Sequence, residues 1–501
     1  MRPDLRLPRL SLLGALALTL GVAGSASAQT VRIQPSLDTR LTWTDNVDTS
    51  ATDEQQDWIA EISPGVSISR ESGRVSGGLD MRLRNTAHVE RTEDNATYLA
   101  LQGRGTIEAI EDAFFIDLAA SISRDNLSAF GGRVGGDTLD TDEDNETRLF
   151  SIAPRFAFRF GASGQGNIGY QQRWRTGGDS TTEDERSGTW NFGLADPTAL
   201  RLFGWGLDYQ RTDTRYDDSD TQSASQDVTQ EVGRGTLFIN LDPQFRVRAI
   251  GGYESNDYGL GQGDEGAIWG AGFDWFPTDR SAISVTGEDR VFGTGYDVSF
   301  EHRMARSVWS LSATRDITSS LDELGERYLL TPQNFEDLAD LLQNDPDAVQ
   351  DYLAGLTPTN IRSNRYFLSK ALRAGVSLIG VRNTVSLSLS QTDRSQLEGI
   401  TYTGLINDEL DDYERVKTRA FSLSLDHKLS GLASLRLAAL RSKSEGEGVE
   451  DDETTRTAYT VGLTRRLGAQ ASGSLTYRHI KSEGDDPYTE NAVTATLGMR
   501  F

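Results

Sequence analysis

The residues of this chain that could do chemistry are few, and they lack the neighbours that a reaction needs. The sequence contains no cysteine and only four histidines, so it offers no thiolate nucleophile, disulfide or cysteine-ligated metal site. His88 is predicted to lie in a loop, while His302, His427 and His479 fall on one phase of three separate alternating segments. No Ser-His-Asp set is therefore expected to form, and we predict no catalytic residues and no enzyme.

Two glycine motifs resemble phosphate-binding loops. Gly164–Gly169 and Gly261–Gly266 both fit the pattern G-x-G-x-x-G. The first enters a predicted strand and the second lies between strands, so neither opens the helix that a phosphate site requires. We predict that the chain binds no nucleotide cofactor.

One acidic run begins like a calcium loop, with Asp140, Asp142 and Asp144. Asn145 stands where that loop requires glycine, and Ser151 stands where it requires a bidentate glutamate. A solvated acidic loop and loose divalent-cation binding beside lipopolysaccharide both stay open, and no dedicated metal site is predicted.

The overall charge excludes one class of partner. The 501 residues include 50 Lys and Arg against 75 Asp and Glu, which gives a formal net charge of −25. A nucleic-acid-binding protein needs a basic face toward the phosphates. No nucleic acid is expected as a partner.

Residues 1–28 have the features of a cleaved secretory signal. A basic segment precedes an apolar stretch at 10–24, which small residues at 26–28 follow. The basic residues are Arg2, Arg6 and Arg9. The apolar stretch is too short for a membrane anchor, so we expect cleavage before Gln29 and export of the chain.

From Ile33 onward the dominant pattern is strict alternation of apolar and polar residues. In the last segment one face holds Val493, Ala495, Leu497, Met499 and Phe501. A period of two is typical of a β-strand with two different faces. We count about 22 such segments, which predicts an all-β chain.

The connections between the segments alternate in length. Tight joints such as 71–73 and 430–431 alternate with long, acidic loops such as 45–56, 124–147 and 212–229. Short turns on one side and long loops on the other are typical of bacterial outer-membrane barrels. We therefore predict a transmembrane, antiparallel, up-and-down β-barrel over residues 29–501, with both termini in the periplasm of a Gram-negative bacterium.

The composition of the two faces favours a membrane barrel over a soluble sandwich. The polar face is rich in Gly, Ser, Thr and Asn, as expected of a wet lumen. Aromatic residues gather at the strand ends, where two interfacial girdles are expected. The chain also ends on Phe501 within an alternating strand, which is the usual form of the assembly signal read by the barrel assembly machinery.

Three segments resemble the PEP-CTERM-system-associated outer-membrane β-barrel family. They are Pro35–Val47 (PSLDTRLTWTDNV), Trp58–Val66 (WIAEISPGV) and Arg382–Leu389 (RNTVSLSL). That family accompanies exopolysaccharide biosynthesis and exosortase loci. The resemblance implies a role beside exopolysaccharide production or export, and it brings no catalytic residues.

A set of arginines falls on the lumen-facing phase of the early strands. Its members are Arg82, Arg84, Arg104, Arg155, Arg159, Arg173, Arg175, Arg246 and Arg248. These arginines could form a basic wall that eases an anionic chain through the pore. They could equally form internal salt bridges with Asp80, Glu108, Asp117 and Glu254.

The segment 316–364 interrupts the alternation with leucines at helical spacing. Thr331-Pro332 and Asp345-Pro346 are plausible helix starts. Two or three short helices in this external loop could fold inward as a plug or outward as a docking surface.

Taken together, the sequence predicts a monomeric barrel that supports passage or secretion of a polymer or solute across the outer membrane. The alternative is a structural barrel whose acidic loops bind matrix or surface proteins. The expected partners are outer-membrane lipid and lipopolysaccharide, the assembly machinery, and exopolysaccharide or its export components. The few residues before the first strand leave no room for an N-terminal plug, which counts against a TonB-dependent receptor.

Overall fold

The fold is described from a computed structural model. It describes residues 31–70, 73–124, 128–131, 146–177, 184–217, 227–259, 263–328, 361, 363, 365–400, 408–448, 451–485 and 487–501. The predicted signal at 1–28 lies outside these ranges.

The alternating segments of the sequence form 22 antiparallel strands in a single sheet. The first eleven are β1 Arg32–Thr44, β2 Asp57–Arg70, β3 Val75–His88, β4 Ala96–Ile110, β5 Phe114–Arg124, β6 Glu146–Phe160, β7 Gly164–Gly177, β8 Asp184–Asp196, β9 Phe203–Asp217, β10 Asp227–Asp242 and β11 Phe245–Asp257. The others are β12 Gly263–Thr278, β13 Ser281–Arg290, β14 Gly293–Met304, β15 Ser307–Ser319, β16 Tyr366–Ile379, β17 Asn383–Ser395, β18 Tyr413–Ser430, β19 Ala433–Gly448, β20 Asp452–Arg466, β21 Ala471–Gly484 and β22 Tyr488–Arg500.

Two short α-helices and one 3-10 turn accompany the strands in the described part of the chain. They are α1 Ser320–Tyr328, α2 Glu409–Asp412 and the turn Thr92–Asp94. Over the same residues, no helix is long and apolar enough to cross a membrane.

Each strand pairs with its neighbours in sequence, and β1 also pairs with β22, so the sheet closes on itself. The predicted up-and-down barrel of about 22 strands is confirmed. Tight turns such as 243–244 and 305–306 lie at one end, and the long connections lie at the other. By the rule for outer-membrane barrels, the tight turns face the periplasm.

Three connections at the extracellular end are also short, namely 291–292, 449–451 and 485–487, and the one between β13 and β14 is the shortest. Gly293 adopts a φ of 88° there. That left-handed conformation carries no steric penalty for glycine, and it lets the chain reverse within two residues.

The outward face of the barrel is apolar. Trp269 is 69% exposed and Leu475 is 54% exposed, which would be costly in water but is expected of side chains that meet lipid. Aromatic residues lie outward near both ends, among them Trp58, Tyr253 and Phe156. These residues form the two interfacial girdles that the sequence predicts.

The seam between β1 and β22 closes the barrel. Its register runs from Ser36 opposite Arg500 to Thr44 opposite Ala492. Side chains reinforce it, because Thr44 donates to Glu490 at 2.9 Å and the Asn491 amide donates to Asp45 at 2.7 Å.

Several strands run farther than the alternation predicted. β9 and β10 extend into the predicted loop 212–229, and β15 continues through Ser319 rather than ending at Asp316. His88, predicted in a loop, is the last residue of β3. The reason is that charged residues above the membrane can still pair their backbones in water, although they no longer alternate with apolar ones.

Removing Phe501 is expected to lower the yield of assembled barrel several-fold. Its amide donates to the Pro35 carbonyl at 2.9 Å across the seam, and its ring is 63% exposed on the outside. The measurement is the fraction of protein in the outer membrane that changes apparent mass on boiling. Phe501→Trp should assemble normally, and a normal yield of the deletion would contradict the closing role.

Candidate functional site

The lumen is the candidate site, and its two sides differ. Strands β3 to β14 point arginines, carboxylates and amides inward, whereas β15 to β19 point mainly Ser, Thr and Ala inward. Ser377 pairs with Ser386, and their hydroxyls are 3.0 Å apart. Small side chains on one side leave free space opposite the charged side.

All nine predicted arginines occupy lumen-facing register positions. Arg82 and Arg104 lie on adjacent strands, with Arg104 opposite Gly78. Arg246 and Arg248 lie on β11, which is several strands away from β7. The set therefore shares the lumen but does not form one continuous wall.

Carboxylates neutralise much of this set. Arg155 lies 2.7 Å from Asp117, Arg175 lies 3.4 Å from Glu185, and Arg82 lies 3.9 Å from Asp38. Both Arg246 and Arg248 reach Asp274, at 2.7 and 3.2 Å. Arg84 lies 5.9 Å from the centre of the Tyr98 ring.

The predicted ladder of salt bridges is only partly present. Asp117 holds Arg155, as expected. Glu254 instead holds Arg290, Glu108 accepts from the Asp112 amide, and Asp80 accepts from Ser67. Alternation predicts which side chains face the lumen. It does not predict which carboxylate pairs with which arginine, because several inward carboxylates lie within reach of each one.

The helix α1 folds into the lumen at the extracellular end. Its Asp322 lies 2.5 Å from Arg173 of β7, and the next residue, Glu323, lies 2.8 Å from Arg394 of β17. Strands β7 and β17 are almost opposite each other in the ring. Two consecutive residues thus join opposite walls, which means that the bore is narrow at this level.

Local sequence explains why α1 starts where it does. The Ser319 hydroxyl accepts from the Asp322 amide at 3.2 Å, and the Asp322 carboxylate accepts from the Ser319 amide at 3.3 Å. This reciprocal arrangement is a capping box with aspartate at its third position. Leu321 and Leu324 then pack on the lumen-facing Leu149.

A second contact joins the walls directly. The Tyr366 and Thr214 hydroxyls are 2.8 Å apart, although they belong to β16 and β9. Tyr366 also packs with Tyr216, Val228 and Tyr258. The mouth is therefore pinched by the strands themselves as well as by a loop.

A third set of contacts links residues 128–131 to α2 and to β20. The Ala129 amide donates to Glu409 of α2 at 3.1 Å, and Arg456 of β20 donates to the Phe130 carbonyl. We use the name extracellular cap for α1, residues 128–131, Ile361, Ser363, Arg365, α2 and the side chains of Arg173, Arg394, Tyr366 and Arg456 that hold them.

An ion pair also lies within the cap. Arg365 lies 3.0 Å from Asp408 and contacts Asp411. Burial alone would lower the pKa of the Arg365 guanidinium, but the two carboxylates raise its pKa above the ordinary value. Asp408 also accepts from the Leu410 amide at 2.9 Å as the N-cap of α2, so one carboxylate fixes both the loop and the helix.

Below the cap the lumen is wet. The side chains of Arg155 and Asp117 are 44% and 37% exposed, against 3% and 1% for Arg175 and Glu185 near the cap. A cavity of about 440 Å³ lies on the wall between β6 and β10. These lumen-facing side chains are thus accessible to water in the periplasmic half and buried near the cap.

Sequence reasoning did not identify Arg290 and Arg394, which take part in two of the most buried ion pairs. Glu254 is fully buried and accepts from Arg290 at 2.6 Å and from the Val291 amide at 2.9 Å. Arg394 is fully buried as well. A signal for Arg394 existed, because it continues the inward phase Ser386, Ser388, Ser390 and Thr392 of β17.

No group of three or more metal-ligating side chains occurs within the described ranges. The acidic run at Asp140, Asp142 and Asp144 lies outside them. Of the glycine motifs, Gly164–Gly169 lies inside β7, as predicted. His302, His427 and His479 are on the outward face, while the His88 ring lies 3.0 Å from the buried Asp57.

No family model and no curated protein matches the sequence. The fold is similar to solved structures of outer-membrane receptors. The siderophore receptor PirA from Acinetobacter baumannii matches with a TM-score of 0.50 and 8% identity over 95% of this chain and 81% of the receptor. The FrpB iron transporter from Neisseria meningitidis (F3-3 variant) matches with a TM-score of 0.50 and 9% identity over 97% of this chain and 83% of the transporter.

Identities this low show a shared architecture and nothing about ligands. Together with the closed sheet and the apolar outer face, the likeness identifies the chain as a 22-strand β-barrel of the Gram-negative outer membrane.

Proposed function

We propose that this barrel supports the passage of a hydrophilic polymer or solute across the outer membrane, and that its extracellular cap is the gate. One observation carries the proposal: a hydrated, polar half-lumen ends beneath a closure that ion pairs hold between opposite walls. Ion pairs can exchange partners with water or solute, unlike a continuous apolar core. A closure held by ion pairs is therefore suited to a gate that opens and closes.

The proposed cargo is exopolysaccharide or a component of its export. The resemblance of Pro35–Val47 and Trp58–Val66 to exopolysaccharide-locus barrels supports this assignment. PirA and FrpB are a siderophore receptor and an iron transporter, and they support only the coarser idea that a barrel of this size carries cargo.

The test is a deletion of the gene in the producing bacterium. We expect less polysaccharide outside the cells and more in the periplasm, with recovery when the chain is supplied again. Unchanged polysaccharide in both compartments would refute the cargo assignment.

A second candidate is a structural barrel whose outer loops dock surface proteins. The contacts of Tyr366 with Thr214 and of Ala129 with Glu409 favour it, because they give the extracellular surface a defined shape. Conductance separates the candidates, since a barrel with a permanently filled mouth passes no current.

The arginines of the wet half-lumen are expected to make the open pore prefer anions. Charges are screened beyond about 8 Å at physiological salt, so distant acidic loops have little influence on the bore. Replacing Arg82, Arg155 and Arg248 by Gln should shift the reversal potential toward cations. Arg148→Gln, on the outer face of β6, should leave it unchanged, and a parent pore that already prefers cations would contradict the prediction.

A further inference from the structure

The cavity below the cap has a chemistry of its own. Four polar side chains of β7, β8 and β9 line this cavity, namely those of Asn167, Asn191, Gln210 and Asp208. None of these four side chains has a hydrogen-bond partner in the part of the chain that the structure describes. Most charged groups elsewhere on the lumen wall are paired with one another, so this stretch keeps its hydrogen-bonding capacity for something else.

The neighbouring arginines are already engaged. Arg155 is held by Asp117 at 2.7 Å and stacks on the Phe115 ring at 4.1 Å. Arg234 binds Glu288 through two nitrogens, at distances of 3.0 to 3.3 Å. The groups left to meet a ligand are therefore three amides and one carboxylate.

Glycines make the surface concave. Gly169 lies between Arg155 and Asn191 in register, and Gly193 lies between Asn167 and Asp208. A Cβ at Gly193 would come within 2.5 Å of the Asn167 amide oxygen. Larger residues and glycines thus alternate across β6 to β9. The space above the glycines is a hollow of about 440 Å³, which is within the range of small-ligand sites.

We propose that this hollow binds an uncharged, hydroxyl-rich ligand, namely a neutral sugar unit of an oligo- or polysaccharide. An amide offers two donors and an acceptor at one position, and a carboxylate accepts from two neighbouring hydroxyls. Asp208 lies opposite Arg234 in register, and this carboxylate disfavours an anionic sugar because the arginines nearby are already paired. The hollow lies beneath the cap, so the ligand reaches it from the periplasmic side.

This inference rests on the proposed function for its role in transport, but the binding it predicts is measurable in the closed barrel. Purified full-length chain in detergent is titrated with maltohexaose as the neutral probe and with hexagalacturonate as the anionic one. Isothermal titration calorimetry is expected to give a lower Kd for maltohexaose than for hexagalacturonate. The double variant Asn191→Ala, Gln210→Ala should weaken its binding about tenfold or more, because each lost hydrogen bond contributes to affinity.

The matched control is Gln102→Ala, which removes a lumen amide from β4, away from the hollow. Gly193→Val should also abolish binding, since its side chain displaces Asn167. Thermal unfolding of every variant checks folding, and Gly193→Val need not be used if it fails to assemble. Tighter binding of hexagalacturonate, no maltohexaose binding, or equal loss in Gln102→Ala would each overturn the inference.

A different result would contradict the proposed function alone. In that case the barrel binds maltohexaose as expected, but it does not conduct even when the ion pairs of the cap are removed by substitution.

Discussion

Replacing Asp322 by Asn and Glu323 by Gln together is expected to raise the open probability of single channels by roughly a hundredfold. The two carboxylates hold Arg173 and the fully buried Arg394 on opposite walls. Breaking a buried pair costs about 3 kcal/mol or more, and each 1.4 kcal/mol changes an equilibrium about tenfold. Asparagine still accepts at the helix N-terminus, so α1 should stay folded while its anchors weaken. The measurement is planar-bilayer recording of the purified barrel.

Two controls make this result specific to the cap. Asp426→Asn removes a lumen ion pair of 2.7 Å between β18 and β19, outside the cap, and should leave the open probability unchanged. Leu149→Cys with Leu321→Cys places two cysteines within one packed cluster, in a chain that has none of its own. Oxidation should then hold the cap shut until a reductant is added. If the double charge variant stays silent, the cap is a fixed part of the barrel and the structural role gains support.

Glu254→Gln is expected to destabilise the barrel by about 1 to 3 kcal/mol, because it removes a buried charge-assisted contact while Arg290 keeps Asp316 at 3.4 Å and Glu288 at 3.7 Å. Glu254 is fully buried and Arg290 is 7% exposed. Glutamine can still accept from the Val291 amide, so the change removes charge and little else. Urea unfolding in detergent micelles, followed by tryptophan fluorescence, gives the free energy.

The matched comparison is Asp117→Asn, which breaks the exposed pair with Arg155 and should cost less than about 1 kcal/mol. Replacing both partners, with Glu254→Leu and Arg290→Met, should recover part of the lost stability, because the buried pair is then apolar although Asp316 loses its contact with Arg290. Equal losses for Glu254→Gln and Asp117→Asn would show that burial does not set the strength of these pairs.

Much of the barrel could be predicted because its rule is local. A period of two assigns each side chain to lipid or lumen, and the alternation of tight and long connections gives the topology. That is why the number of strands and the inward arginines were predictable. The ends of β9 and β15 were not, since pairing above the membrane needs no apolar face.

The contacts across the mouth could not be predicted, since they join residues far apart in sequence. Arg173 and Asp322 are separated by 149 positions, and Tyr366 and Thr214 by 152. Alternation places all four at the upper lumen or its loops, but nothing local tells which pairs will meet. The same holds for Glu254, whose partner is chosen by the curvature of the wall rather than by its neighbours in the chain.

The seam between β1 and β22 has a consequence for the order of folding. Every other strand pair forms between segments that follow one another, whereas Thr42 meets Thr494 across 452 positions. Bringing the ends of so long a loop together costs roughly 5 kcal/mol of chain entropy, and contacts of such separation form slowly. The ribbon of hairpins should therefore exist first as an open sheet with two bare edges. During that interval β1 and β22 can pair with any exposed strand of another chain, which leads to aggregation. An assembly factor that shields both edges until they meet would therefore favour the closed barrel.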